Sequence, residues 1–214
     1  MTIDVAIDLS QNHGPARNQG NRPTCLAFAL SDMNGVHNGF QGFLSPDYVY
    51  ANAAILMPGW RPGDGLTLDS SLAAVQSPGQ PEEQHWAYSN DEPATPLIAP
   101  PLYDPMYAAS FKKSMPDLNE IVSCVDRGEP VGLIMNLTRE FFSPEDITGI
   151  IPFTDGALPS SSHAVLVVGY GIHMVTRELH FFIRNSWGDG WGVQGHAWVS
   201  SEYINAHATN TFGA

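Results

Sequence analysis

Positive charge is what this chain has least of: nine Lys and Arg stand against 22 Asp and Glu in 214 residues, a formal net charge of -13. A field of that sign repels phosphate backbones and anionic lipid, so neither nucleic acid nor a membrane is expected as a partner, and neutral or basic substrates are favoured. Cysteine is almost as scarce. Cys25 and Cys124 cannot form a disulfide framework, and the simplest setting is a reducing, cytoplasmic compartment. Delivery into another cell, or earlier loss of a signal or pro-segment, would leave the same residues. No stretch approaches the roughly 18 apolar residues of a membrane span, and residues 1–16 lack the basic flank and apolar core of a signal peptide. Internal repeats and low-complexity tracts are absent. The 43% hydrophobic and 14% charged composition excludes disorder and coiled coil, and a chain of this length can bury a core without covalent staples.

The periodicity changes once along the chain. A helix with one strongly apolar side is expected over 23–36, where Leu26, Ala29, Leu30, Met33 and Val36 recur at spacings of three and four. Ser45 can cap a second helix with Pro46 in its first turn, ending near Pro58-Gly59. A third short helix fits 68–75 and a fourth 117–127, with ordered loop expected over 77–116, where Pro and Gly dominate. Beyond Pro130 the pattern is that of strands at 131–137, 163–170, 179–184 and 196–200. Helices first and strands second imply an α+β protein of two segregated halves, divided between about Asp104 and Asp117.

Cys25 falls at the start of the first helix, where unpaired backbone N–H groups and the positive end of the dipole stabilise a thiolate. On position alone, a cysteine beside an apolar helix face is more often plain packing. Two further segments alter that balance. His163 heads an apolar run, Ser162-His163-Ala164-Val165, and Asn185 ends the next predicted strand in Arg184-Asn185-Ser186-Trp187-Gly188-Asp189-Gly190-Trp191-Gly192. Cys, His and Asn are the parts of a thiol acyl-transfer site.

With these motifs the sequence resembles the papain family of cysteine peptidases, which places its His and Asn roughly 130 to 150 residues after a Cys near the mature N-terminus. The order matches, with Asn185 slightly beyond that interval. Gln19-Gly20 sits six residues ahead of the Cys, as in the family; residues 61–75 resemble its glycine-containing substrate-binding segment; His85-Trp86-Ala87-Tyr88 resembles the aromatic turn that follows; and Asn185 to Gly195 is similar to its Asn-Ser-Trp-Gly-x-x-Trp-Gly signature. The resemblance implies a two-lobed fold over 1–214, a helical lobe of about 12–110 and a β-rich lobe of about 111–214 plus the N-terminal residues, with a cleft between. It also implies roles: Cys25 nucleophile, His163 acid/base resting as imidazolium beside the thiolate, Asn185 orienting the imidazole, and Gln19 supplying an oxyanion donor beside the Cys25 N–H. Gly63, Asp64, Gly65, Ser162 and Trp187 would contact substrate, Trp187 also shielding the His–Asn bond from water. The implied activity is hydrolysis of peptide or isopeptide bonds in a peptide or protein substrate, without metal or other cofactor. A transpeptidase or transamidase with the same thioester, or an inactive peptide-binding module, is the alternative.

The chain departs from the family where Arg22-Pro23-Thr24-Cys25-Leu26 replaces Cys-Gly-Ser/Ala-Cys-Trp, where Ser162 replaces Asp or Asn, and in lacking the other disulfide cysteines. Its first residues resemble the start of a mature enzyme without the inhibitory pro-segment, so either control comes from elsewhere, a regulatory or inhibitory protein partner being one source, or a pro-segment was removed beforehand. Cys124 reads as buried packing, the Asn136-Leu137-Thr138 sequon as chance, and His173, His180 and His196 lack partners at zinc-ligand spacing.

Overall fold

The computed structural model describes residues 2–93 and 97–213, so Met1, Ala214 and the part of the expected loop at 94–96 lie outside the described residues. In chain order the elements are β1 (Ile3–Asp8), α1 (Cys25–His37), α2 (Pro46–Ile55), α3 (Leu68–Gln76), β2 (Lys112–Ser114), α4 (Leu118–Asp126), β3 (Val131–Leu137), β4 (Ser161–His173), β5 (Leu179–Arg184), β6 (His196–Ser200), α5 (Ser201–His207) and β7 (Ala208–Gly213). The chain passes between two compact units after Asn18 and after Lys112. The architecture is α+β.

Local chemistry explains where the helices begin. Ser45 accepts from the Tyr48 N–H with Pro46 in the first turn of α2, Thr67 caps α3 through the Ser70 N–H, and Asp117 caps α4 through the Asn119 and Glu120 N–H groups. In the unit of residues 19–112, α1, α2 and α3 pack on one another. The expected one-sided apolar pattern of α1 is corrected: Leu26 to Ser31 and Met33 to Gly35 are all buried, so the helix is covered on nearly every side. Its polar positions survive burial because they are paired. The fully buried Gln80 amide donates to Ser31 Oγ (2.8 Å) and the Ser45 carbonyl (3.0 Å), and its oxygen accepts from Asn34 Nδ2 (3.0 Å). Asn34 Nδ2 also reaches the Tyr107 carbonyl, while Gln80 and Tyr107 exchange both backbone bonds at 2.8 Å. One amide thus ties α1, the start of α2 and the loop after α3.

Among the described residues of the other unit, seven strands form one sheet in the order β2-β7-β3-β4-β5-β6, with β1 added on β4. The pairings of β4 with β1, β3 and β5, of β3 with β7 and of β5 with β6 are antiparallel. Ile121 and Val125 of α4 and Tyr203 and Ile204 of α5 join Leu133, Met135, Val165, Val167, Phe181 and Ile183 in one core. Such side chains contribute roughly 1.5–3 kcal/mol each. Strands β1, β2 and β7 and helix α5 extend beyond the sequence expectations. Strand β7 is mostly polar and becomes a strand by pairing with β3, where its Phe212 lies opposite Gly132. A Cβ on Gly132 would stand 2.1 Å from that ring.

Gln80→Leu should lower unfolding free energy in urea by roughly 2–4 kcal/mol, because the Ser45 carbonyl and Asn34 amide lose buried partners. A loss below about 0.5 kcal/mol would show that the network does not hold this unit together.

Candidate active site

In the unit of residues 19–112, Cys25 is the first residue of α1 and is half-buried. Thr24 stands at the N-cap but gives the helix no side-chain bond, and no acidic residue lies in the first turn. The Thr24 hydroxyl pairs instead with Tyr88 Oη at 2.9 Å. The positive end of the helix dipole, where Cys25 sits, is therefore not met by a side-chain oxygen from the cap. Tyr88 Oη donates its own proton to the Gln19 carbonyl (2.7 Å), so Thr24 is the donor to Tyr88. The buried Gln19 donates from Nε2 to the Arg22 carbonyl at 2.7 Å, which fixes the plane of its amide.

Gly63, Asp64 and Gly65 are exposed in the same unit. The Asp64 carbonyl accepts from Tyr50 Oη (2.7 Å) and its carboxylate from the Arg61 N–H (2.8 Å). A Cβ on Gly65 would touch Pro23, two residues before Cys25. The expected substrate-binding turn and the segment that carries Cys25 are thus neighbours.

In the sheet-bearing unit, antiparallel pairing sets Leu166 of β4 opposite Arg184 of β5, so the start of one strand and the end of the other share one end of the sheet. That register brings His163 and Asn185 together: His163 Nε2 lies 2.7 Å from Asn185 Oδ1. The same oxygen accepts from the Ser186 backbone N–H at 2.8 Å. A backbone N–H needs an acceptor, which assigns oxygen to this position, and the His163 nitrogen facing it must carry the proton. The neutral ring then presents Nδ1 as its proton acceptor. Burial pushes the His163 pKa down to about 4, with the Asn185 hydrogen bond working the other way. Trp187 covers the ring, centroid to centroid 4.7 Å, and itself packs on Phe141, Phe142 and Trp191.

Asn185 is held from several directions. Its N–H donates to the Gly195 carbonyl, and the buried Arg184 guanidinium before it donates to the carbonyls of His13, Gly14 and Pro15. Trp191 Nε1 donates to the Phe141 carbonyl. Gly192 has φ +57, and a Cβ there would meet the His196 carbonyl at 2.2 Å, whereas one on Gly190 would meet nothing within 4 Å. The signature therefore needs glycine at 192 on steric grounds and not at 190.

Ser162 is exposed at the start of β4, opposite Asn136. Cys124 packs against the core of the sheet-bearing unit but is only half-buried on α4, with Arg127 Nη2 at 3.2 Å and Glu120 Oε1 at 3.6 Å, and desolvation raises its pKa against the pull of Arg127. Among the described residues no three His, Cys, Asp or Glu side chains gather where they could hold a metal ion, and no helix is long and apolar enough to cross a membrane. Sequence reasoning passed over Tyr88, noted only within an aromatic turn, and Arg22, noted only as a departure.

Residues 69–211 match the family described as papain family cysteine protease. An uncharacterized peptidase C1-like protein of Acanthamoeba polyphaga mimivirus is 24% identical over 198 residues, 83% of this chain and 60% of that protein. Mouse cathepsin K is 47% identical over 45 residues, 21% of this chain and 13% of the relative. The chain thus spans less than two thirds of these relatives. Xylellain, a cysteine protease from Xylella fastidiosa, superposes with a TM-score of 0.79 at 22% identity, over 97% of this chain and 84% of that one. Digestive procathepsin L 3 of Tenebrio molitor superposes with a TM-score of 0.74 at 22% identity, over 97% and 69%. These two share the fold.

Gly192→Ala should lower unfolding free energy by roughly 2 kcal/mol or more, and Gly190→Ala by no more than about 0.5 kcal/mol, in parallel denaturant titrations. Equal effects would refute the steric account of the signature.

Proposed function

The chain belongs to the papain family of cysteine proteases, and we propose that it hydrolyses peptide or isopeptide bonds through a thioester at Cys25. The observation that carries the reading is the placement of His163: a buried ring whose Nε2 faces Asn185 Oδ1, leaving Nδ1 as the site of proton exchange. At a pKa of about 4 this ring becomes an imidazolium at neutral pH only beside an anion, and the Cys25 thiolate at the start of α1 is the anion the reading supplies.

In the proposed cycle the thiolate adds to the peptide carbonyl and His163 Nδ1–H protonates the departing amine, leaving a thioester and a neutral imidazole. Water then attacks the thioester, His163 Nδ1 takes its proton, and the carboxylic acid departs as the thiolate and imidazolium return. The Gln19 amide and the Cys25 N–H are the proposed donors to both oxyanions. Losing such a donor typically lowers turnover by about 10² to 10³. Gly63, Asp64 and Gly65 would line the peptide backbone and Ser162 and Trp187 would flank the leaving side.

Cys25→Ala and His163→Ala should each abolish hydrolysis in a peptide-library digestion while retaining the wild-type circular dichroism; most activity surviving in either would sink the mechanism. Added amine nucleophile separates hydrolysis from transpeptidation by product mass. A peptidyl epoxide that labels Cys25 stoichiometrically, and not Cys124, excludes the inactive binder. By NMR, His163 should titrate near 4 in Cys25→Ala and higher in the wild type, because the substitution removes the anion that the reading pairs with the ring. Identical titration in both proteins would show that the two residues do not act as a pair.

A further inference from the structure

Arg22 stands where the resemblance expects a disulfide-forming cysteine, three residues before the nucleophile, and it is 4% exposed. Its guanidinium Nη1 donates to Asp47 Oδ1 in α2 and to the Ser89 carbonyl (2.6 Å), and Nε lies 3.7 Å from Glu92 Oε1. Its charged carbon sits 4.8 Å from the Tyr50 ring centroid and 5.2 Å from that of Tyr88. Burial works against the charge, but the hydrogen bond and charge of Asp47, with help from Tyr88 and Glu92, more than offset it, so the pKa is raised. Asp47 is held in turn by Trp86 Nε1 at 3.1 Å. A guanidinium reaches this many partners at once because its donors are spread over a rigid plane. A lysine at the same place offers one compact group of donors.

The main chain of the same residue bears on the chemistry. The Arg22 carbonyl accepts the Gln19 amide, and Tyr88, against which the guanidinium packs, donates to the Gln19 carbonyl and pairs with Thr24. The segment from Gln19 to Cys25 is therefore held at its amide, its backbone and its helix cap by groups that converge on one buried cation. Resting on the reading of Gln19 and Cys25 above, we propose that Arg22 is a positioning residue: the cluster of Arg22, Asp47, Tyr88 and Glu92 does the work of the missing disulfide and keeps the Gln19 amide aimed at the oxyanion.

The test separates oxyanion stabilisation from thiolate reactivity. Hydrolysis of a peptide substrate passes through an oxyanion, whereas alkylation of Cys25 by iodoacetamide displaces iodide and does not. In Arg22→Lys, kcat should fall by about tenfold or more with KM changed less than about threefold, while the alkylation rate of Cys25 stays within about twofold of wild type. Tyr88→Phe, which deletes only the hydroxyl to Gln19 and Thr24, should show the same selective loss at smaller size and serves if Arg22→Lys does not fold. Unchanged kcat in a folded variant, or equal losses in kcat and alkylation, would overturn the positioning role. Wild-type protein without thiol-dependent hydrolysis would instead overturn the proposed function, so the two failures are distinct.

Discussion

Burial of one imidazole is the constraint from which the site in the sheet-bearing unit follows. Within that unit, His163 sits under Trp187 and against Phe141, with Asn185 as the polar neighbour that opposes the downward pull on its pKa. Burial makes the ring a poor cation, and it also keeps water from competing for the Nε2 proton. The Ser186 N–H fixes which end of the Asn185 amide meets the ring, so a single backbone bond selects the tautomer. The Arg184 bonds to His13, Gly14 and Pro15 extend that fixity into the N-terminal segment.

The unit of residues 19–112 contains one cysteine, the free Cys25, and buried polar groups link its segments. Gln80 joins α1, α2 and the loop beyond α3, and Arg22 joins the segment before α1 to α2 and to the loop that carries Tyr88 and Ser89. A disulfide acts largely on the unfolded chain, by shortening its loops, whereas a buried ion-pair cluster acts on the folded state and only while every member is paired. That difference makes the geometry of the clamp dependent on several side chains at once.

Much of the architecture was legible from periodicity because the helices and central strands are long enough to repeat. Strands β3, β5 and β6 fall on the expected residues, and α3 and α4 start within a residue of them. Strand β1 carries Ile3, Val5 and Ile7 in alternation but is largely exposed, and β7 and α5 are short and polar, so tertiary pairing rather than local pattern defines them. The one-sided reading of α1 failed because Ser31 and Asn34 are hydrophilic by type yet buried by pairing with Gln80, a partner 49 or 46 residues away. His163 and Asn185 were legible as motif residues. Tyr88 and Arg22 were not, since a supporting side chain has no motif and is recognised only by what it touches.

Magnitudes explain why such supporting contacts matter to the proposed chemistry. A helix terminus stabilises a charge by typically about 0.3–1 kcal/mol, which is small beside the cost of charging a buried imidazole. With the His163 pKa at about 4, placing a proton on that ring at neutral pH costs roughly 4 kcal/mol before an opposite charge attracts it. Unit charges about 4 Å apart at an effective dielectric of about 20 return about 4 kcal/mol, and a charge-assisted hydrogen bond adds a further contribution of a few kcal/mol at most. The proposed ion pair is thus near balance. In the proposed pair, small contributions such as the Asn185 acceptor and the uncapped start of α1 would set which protonation state rests at neutral pH.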